Sequence, residues 1–253
     1  MANVAPATHR FNSFDGVQLA WHALGQGRPV VLMHGLFSSA EMNWIRFGHA
    51  AKLAEAGFEA IMPDLRAHGG SANPHDPVAY PPGVLVRDVE ALVEELDLAE
   101  FDLVGFSLGA RTAAGAVVAG LAPRRLVLAG MGLEGLAGWE RRAEFFVDAI
   151  DRFGEIRQGD PAYFAVQFMK TMKIDRTAAR LLLGAVTDLS VKDLAKVAMP
   201  TLVVCGDKDR DNGSPQKLVD ALPNARFEEV PGTHMASVTE PALGEAIARF
   251  LTA

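Results

Sequence analysis

The sequence predicts an α/β protein, with a mostly parallel central sheet flanked by helices and a small helical lid inserted after the sixth core strand. Three observations carry this. Short, continuous apolar runs such as Pro29–Met33, Leu126–Ala129 and Thr201–Cys205 have the pattern of strands buried on both faces. These runs alternate with segments of helical period. Between them, residues 131–198 break the rhythm, with helical patterns and no convincing strand.

Taken in order, strand-like segments around Phe11–Phe14 and Val17–Leu24 flank Asp15-Gly16, a hairpin signal. The buried run Pro29–Met33 follows, then a helix-compatible stretch from about Met42 to Ala56, stopped by Gly57. Glu59–Pro63 reads as a strand. Val84, Leu85, Val89, Leu92, Val93 and Leu96 then mark one face of a helix. Phe101–Val104 is a strand, Ala110–Leu121 a helix and Leu126–Ala129 a strand. After the insertion come strand Thr201–Cys205, helix Pro215–Leu222, strand Phe227–Val230 and helix Pro241–Leu251. Residues 1–130 and 199–253 are thus expected to form the core, and 131–198 the lid.

The composition of this 253-residue chain, 49% hydrophobic and 22% charged, suits one large domain with a sizeable core. A net charge of −7 without a basic stripe argues against nucleic acid as a partner. The N-terminus has no basic patch followed by an apolar run, and no apolar segment reaches the ~18 residues of a membrane span. No secretory leader and no membrane partner are therefore expected, and the expected location is cytoplasmic. The single cysteine, Cys205, sits within a strand and reads as a core residue. The oligomeric state, monomer or homo-oligomer, stays open.

Gly105-Phe106-Ser107-Leu108-Gly109 lies between a strand and a helix. There a G-x-S-x-G pattern has a mechanism: the strand turns sharply into the helix and presents the serine oxygen at the tip. Ser107 is the candidate nucleophile. A serine needs a base, and the base an orienting acid. Of seven histidines, His234 follows the last predicted strand, at the carboxyl edge of the sheet that Ser107 shares. Cys205-Gly206-Asp207-Lys208-Asp209 follows the preceding strand at the same edge, which offers Asp209 as the acid and Asp207 in reserve. The backbone N–H groups of Leu108 and Leu36 are candidate donors to a developing oxyanion. Gly35 would allow close backbone approach, and His34 reads as a structural, hydrogen-bonding residue behind that loop. Phe37, Phe106, Trp139, Phe146 and Phe168 are candidate pocket residues, although helical spacing such as Phe164–Phe168 equally fits plain packing. Asp207 to Asp211 mimics the start of a calcium loop, but its sixth and twelfth positions hold Asn212 and Leu218 instead of glycine and glutamate. With the histidines scattered, no metal is expected.

Taken together, His34-Gly35, Asp64-Leu65-Arg66-Ala67-His68-Gly69-Gly70-Ser71, Gly105–Gly109, the Gly206–Asp209 loop and His234 resemble the α/β-hydrolase fold superfamily, in its serine-nucleophile, esterase-like branch. The resemblance covers nearly everything outside the lid. It implies that Asp64–Ser71 is a structural turn, here with Ala67 where glycine is common. It also implies a two-step reaction without a cofactor: Ser107 attacks a carbonyl, His234 shuttles the proton, Asp209 stabilises the imidazolium, and water releases the acyl group. The expected substrates are carboxylic esters of small to medium apolar acyl groups. The alternatives are a carbon–carbon bond hydrolase or enol-lactonase of aromatic-compound degradation, for which Arg111, Arg141 or Arg142 could hold a substrate carboxylate, and a cofactor-free perhydrolase or haloperoxidase. A ligand-binding receptor on this fold often lacks a triad residue; all three are present here, which disfavours it.

Overall fold

The structure, a computed structural model, describes residues 5–253. Residues 1–4, on which the expectation about a secretory leader partly rests, lie outside the described residues. One eight-stranded sheet has the order β1-β2-β4-β3-β5-β6-β7-β8. Strand β1 (Ala7–Asn12) pairs antiparallel with β2 (Gln18–Gly25), and β2 antiparallel with β4 (Phe58–Pro63). Strands β3 (Arg28–Met33), β5 (Asp102–Phe106), β6 (Leu126–Ala129), β7 (Thr201–Gly206) and β8 (Ala225–Val230) complete a parallel array with β4.

The continuous apolar runs are continuous because the sheet is buried on both faces. Alternate residues feed two cores. Val31, Met33, Leu103, Leu128 and Val203 face one, with helices α2 (Val84–Glu95) and α3 (Leu108–Ala119). Val30, Leu32, Val104, Val127 and Val204 face the other, with α1 (His49–Glu55) and the C-terminal helix Pro241–Thr252. Cys205 is buried in the first core, and burial pushes its thiol up to about 12, so it behaves as a small apolar residue.

Between β6 and β7 the chain forms four α-helices, α4 (Leu133–Ala137), α5 (Trp139–Asp151), α6 (Tyr163–Thr171) and α7 (Arg176–Ala185), followed by a short 3-10 turn. Asp175 caps α7 by accepting the N–H of Ala178 at 3.0 Å. Trp139 anchors α5: its indole N–H donates to the Leu183 carbonyl at 3.0 Å, and its backbone N–H to Asp188 at 2.7 Å. Helix α8 (Pro215–Ala221) follows β7, a single turn α9 (His234–Ser237) follows β8, and α10 is the C-terminal helix.

Two expectations are corrected. The stretch 42–56 is not one helix: a π-helical turn, Glu41–Ile45, is separated from α1 by Gly48 in the left-handed region at φ 79°. The first hairpin strand ends at Asn12, before the predicted Phe14. Ser13 and Phe14 instead tie the hairpin to α2: the Ser13 hydroxyl donates to Asp88 at 2.6 Å, and Arg87 stacks on the Phe14 ring at 3.5 Å.

Arg66, fully buried, joins these pieces. Its guanidinium donates to both oxygens of Asp15 in the hairpin turn (2.7 and 2.9 Å), to both oxygens of Asp88 on α2 (3.0 and 2.7 Å) and to the Ala79 carbonyl (2.7 Å). Removing the cation leaves buried Asp88 uncompensated. Arg66→Met is therefore expected to cost about 3–5 kcal/mol in urea unfolding. A loss below about 1 kcal/mol would mean that the carboxylates find other partners.

Candidate active site

The turn at Ser107 is built by two glycine contacts. A Cβ on Gly105 would lie 2.2 Å from the Gly109 carbonyl oxygen, and one on Gly109 would lie 2.2 Å from the Met33 carbonyl oxygen. Only glycine lets α3 start this close to β5 and β3. Ser107 itself sits at φ 53° and ψ −112°, a strained conformation that costs about 1–3 kcal/mol. Its backbone is held on both sides: its N–H donates to the Ala129 carbonyl at 2.9 Å, and its carbonyl accepts the Arg111 N–H at 3.0 Å. The side chain faces a cavity of about 940 Å³ under α5 and α6.

His234 opens α9, whose N-cap is Thr233, and lines the same cavity. Its Nδ1 is hydrogen-bonded to Asp209 Oδ2 at 2.8 Å, and its ring lies 4.9 Å from that of Phe106. Burial pushes the Asp209 carboxyl up, but the His234 hydrogen bond and charge lead the contacts that outweigh it, so it is held below the usual carboxylate range. Asp207 does different work: its Oδ1 accepts the Gly232 N–H at 2.7 Å and so positions the loop that leads into His234. Two of the three aspartates of the mimicked calcium loop are thus committed, Asp207 to a backbone N–H and Asp209 to the histidine.

The loop after β3 holds its N–H groups in an instructive way. Gly35 N–H donates to Asn43 Oδ1 at 3.0 Å, Phe37 N–H to His68 Nε2 at 2.9 Å, and Ser38 N–H to the Gly35 carbonyl at 3.2 Å. The Leu36 N–H has no partner among the described residues and belongs to a residue on the cavity wall. The Leu108 N–H, at the first position of α3, is free in the same way. Burial holds His68 down to about 3 and lowers His34, so both are neutral supports. His34 donates to the Gly35 carbonyl at 2.8 Å and accepts the Leu65 N–H at 3.0 Å, which makes it a buried hydrogen-bonding residue behind the loop. Gly35 lies against the Ser107 turn; a Cβ there would be 3.3 Å from the Phe106 ring and 3.5 Å from Ser107 Cβ.

Asp64 braces this loop from behind by accepting the N–H groups of Ala40 and Gly70, both at 2.8 Å, and bonding His22 at 3.2 Å. Burial works against its charge, yet these bonds, led by His22, hold it down to about 2. Gly69, at φ 52°, passes so close that a Cβ would lie 2.2 Å from the Asp64 carboxyl carbon. Ala67 occupies the left-handed region at φ 66° without being glycine.

Phe37, Phe106, Trp139, Phe146 and Phe168 all line the cavity. Asn43, Phe47, Met131 and Met235 line it too, and nothing in their sequence spacing singled them out. The three arginines differ. Arg111 is buried and tied to the carbonyls of Thr187 and Gly135 and to Asp188, and Arg141 is exposed at the cavity. Arg142 is half-buried and donates to the Asp211 carbonyl.

Residues 30–245 match a family model described as "Alpha/beta hydrolase family". A non-heme chloroperoxidase of Kitasatospora aureofaciens is 26% identical over 94% of this chain and 95% of its own length. Among solved structures, a thermophilic esterase from Thermogutta terrifontis superposes with TM-score 0.78 at 20% identity, covering 97% of this chain and 98% of that one. The enol-lactonase from Burkholderia xenovorans superposes with TM-score 0.75 at 19% identity, covering 97% and 100%. At such identities these two structures support the fold. The chain belongs to the alpha/beta hydrolase family and is an enzyme of the hydrolase type. Among the described residues, no helix is long and apolar enough to cross a membrane.

Two outcomes test this geometry. Gly109→Ala should lose activity and cooperative folding, whereas Gly16→Ala, at φ 81° with open space around it, should cost only about 1–2 kcal/mol. Asp64→Asn should cost about 2–3 kcal/mol at pH 7 in urea unfolding. The depressed carboxyl stabilises the fold above the unfolded-chain value of about 4 and loses that effect as pH falls through about 2, so the gap between wild type and variant should close over that window. A gap independent of pH would assign the loss to packing.

Proposed function

Starting from a member of the alpha/beta hydrolase family, we propose that this chain is a serine hydrolase that cleaves carboxylic esters of small to medium, largely apolar acyl groups through an acyl-enzyme. One observation carries the reading: the Asp209–His234 hydrogen bond lies at the wall of the cavity that also holds Ser107 at a strained strand–helix turn. In this reading His234 takes the Ser107 proton as the oxygen attacks the ester carbonyl. The Leu36 and Leu108 N–H groups hold the oxyanion. His234 returns the proton to the departing alcohol, and water, activated by the same histidine, releases the acid. Ser107 and His234 line the same cavity without a direct hydrogen bond between them, and such contacts commonly tighten only with substrate bound.

Residues 131–198 act as the lid in this scheme. Phe146, Phe168 and Trp139 supply an apolar wall that excludes water from the reacting carbonyl. Small-molecule esters are the partners, and the scheme uses no cofactor. Perhydrolysis is the second reading, favoured by the nearly full-length similarity to the chloroperoxidase. There hydrogen peroxide replaces water and the product is a peracid.

The test is hydrolysis of p-nitrophenyl acetate, butyrate and octanoate. Wild type should turn them over, with kcat/KM rising from acetate toward the longer chains as buried methylenes add up to about 0.8 kcal/mol each. Ser107→Ala should lower kcat by at least about a thousandfold. Ester turnover unaffected by that substitution would sink the serine mechanism. Peracetic acid formed faster than acetate is released, with peroxide present, would move the assignment to the second reading.

A further inference from the structure

Helix α5, in the segment between β6 and β7, sends one cation to the loop that carries the acid. The Arg142 guanidinium donates to the carbonyl of Asp211. The N–H of Asp211 in turn donates to Asp209 Oδ1 at 3.0 Å, and Asp209 Oδ2 holds His234 Nδ1 at 2.8 Å. From a half-buried side chain on the cavity wall, the backbone of one residue, Asp211, separates Arg142 from the carboxylate that bonds the histidine. The start of the same segment clasps the same loop. Gly135 N–H donates to the Asn212 carbonyl at 2.9 Å, and Asn212 Nδ2 to the Gly130 carbonyl at 2.7 Å. Glu134 accepts the Ser214 N–H at 2.8 Å and Lys217 at 3.0 Å.

Arg142 differs from the rest of the clasp because its charge reaches the Asp209 carboxylate. Facing Asp209 from the packed elements are His234 from α9, Arg142 from α5 and the neutral thiol of Cys205 from β7, and on its own loop Asp211 lies beside Arg142 and Arg210 donates to the Asp209 backbone carbonyl at 2.8 Å. Arg142 helps hold the Asp209 carboxyl below its ordinary range. Burial lowers the guanidinium itself, while Asp211 and then Asp209 support its charge. The alternative use of a guanidinium in a cavity wall is to bind an anionic substrate. The field here disfavours it, because Asp209 and Asp211 would repel a carboxylate brought to the same guanidinium.

We propose that Arg142 is a positioning residue for the Asp209–His234 pair, fixing the acid loop through the Asp211 backbone and placing a positive charge beside Asp209. This rests on the serine-hydrolase reading above. Its consequence is that α5 and the catalytic pair are mechanically and electrostatically joined, so displacing α5 slows the chemical step as well as opening the cavity.

The experiment compares wild type, Arg142→Lys, Arg142→Met and Ser107→Ala. It reads the pH dependence of kcat and KM for p-nitrophenyl acetate, KM for mono-p-nitrophenyl glutarate, the rate of inactivation by phenylmethylsulfonyl fluoride, and Tm. Arg142→Met should lower kcat and the inactivation rate about tenfold, equivalent to about 1.4 kcal/mol, with KM within about twofold. The acid limb of its pH–rate profile should move to higher pH, because the Asp209 carboxyl loses a positive charge that helps hold it below its ordinary range. Arg142→Lys should restore most of the rate and the wild-type profile. Three results overturn the proposal while leaving the serine mechanism standing: a wild-type profile in Arg142→Met; equal damage in both variants with a lowered Tm, which marks a structural residue; or a rise in KM confined to a carboxylate-bearing ester such as mono-p-nitrophenyl glutarate. Wild type that is inert to both probes, or that matches Ser107→Ala, would overturn the serine mechanism and this proposal with it.

Discussion

The close approach of α3 to the ends of β5 and β3 is the constraint on which the rest of the site depends. Gly109 touches the carbonyl of Met33, and Gly105 touches that of Gly109, so three backbone segments meet with no side chain between them. That contact brings the first N–H groups of α3 beside the loop after β3. Without it the Leu108 and Leu36 N–H groups would belong to separate regions of the surface. The strain at Ser107 follows from the same contact: a residue that leaves a strand and enters a helix within one step has few backbone conformations open to it. The Ala129 carbonyl and the Arg111 N–H hold it there from both sides.

Behind the contact, the loop after β3 is kept in shape by groups that carry no net charge toward the cavity. His34 and His68 are neutral because burial disfavours their cationic forms, and each then offers one donor and one acceptor nitrogen. A neutral imidazole can accept the Phe37 N–H; an imidazolium could not. The one full charge in this layer, on Asp64, is spent on the N–H groups of Ala40 and Gly70 and on His22. The outcome is selective: the N–H groups of Gly35, Phe37 and Ser38 are occupied and that of Leu36 is left over. Preorganised donors are worth most where they need no reorientation as charge develops.

Much of this was legible in the sequence, for identifiable reasons. Continuous apolar runs located the parallel strands because burial on both faces abolishes alternation. The Gly105–Gly109 spacing located the turn because only glycine tolerates those contacts. Other features depend on register, which composition does not encode. Asp207 and Asp209 follow the same strand two residues apart; only the folded loop, where Gly206 packs so close to Gly232 that a Cβ would lie 2.1 Å from its carbonyl oxygen, shows Asp207 on the Gly232 N–H and Asp209 on His234. The break at Gly48 was hidden because both flanking segments keep a helical period and glycine within a helix is tolerated at a cost. Arg142 was one of three arginines until the fold placed Asp211 against it.

The segment between β6 and β7 then has to be read as more than a cover. It supplies the apolar wall through Trp139, Phe146 and Phe168, and also the partners of the acid loop through Glu134, Gly135 and Arg142. A wall that excludes water lowers the local dielectric and strengthens every remaining interaction between charges and dipoles. The same segment that makes Asp209 and His234 matter electrostatically is the one that grips their loop. Exchanging it for another helical segment would therefore alter the pocket and the Asp209–His234 pair together. On the proposed mechanism, changes within residues 131–142 act on specificity and rate together.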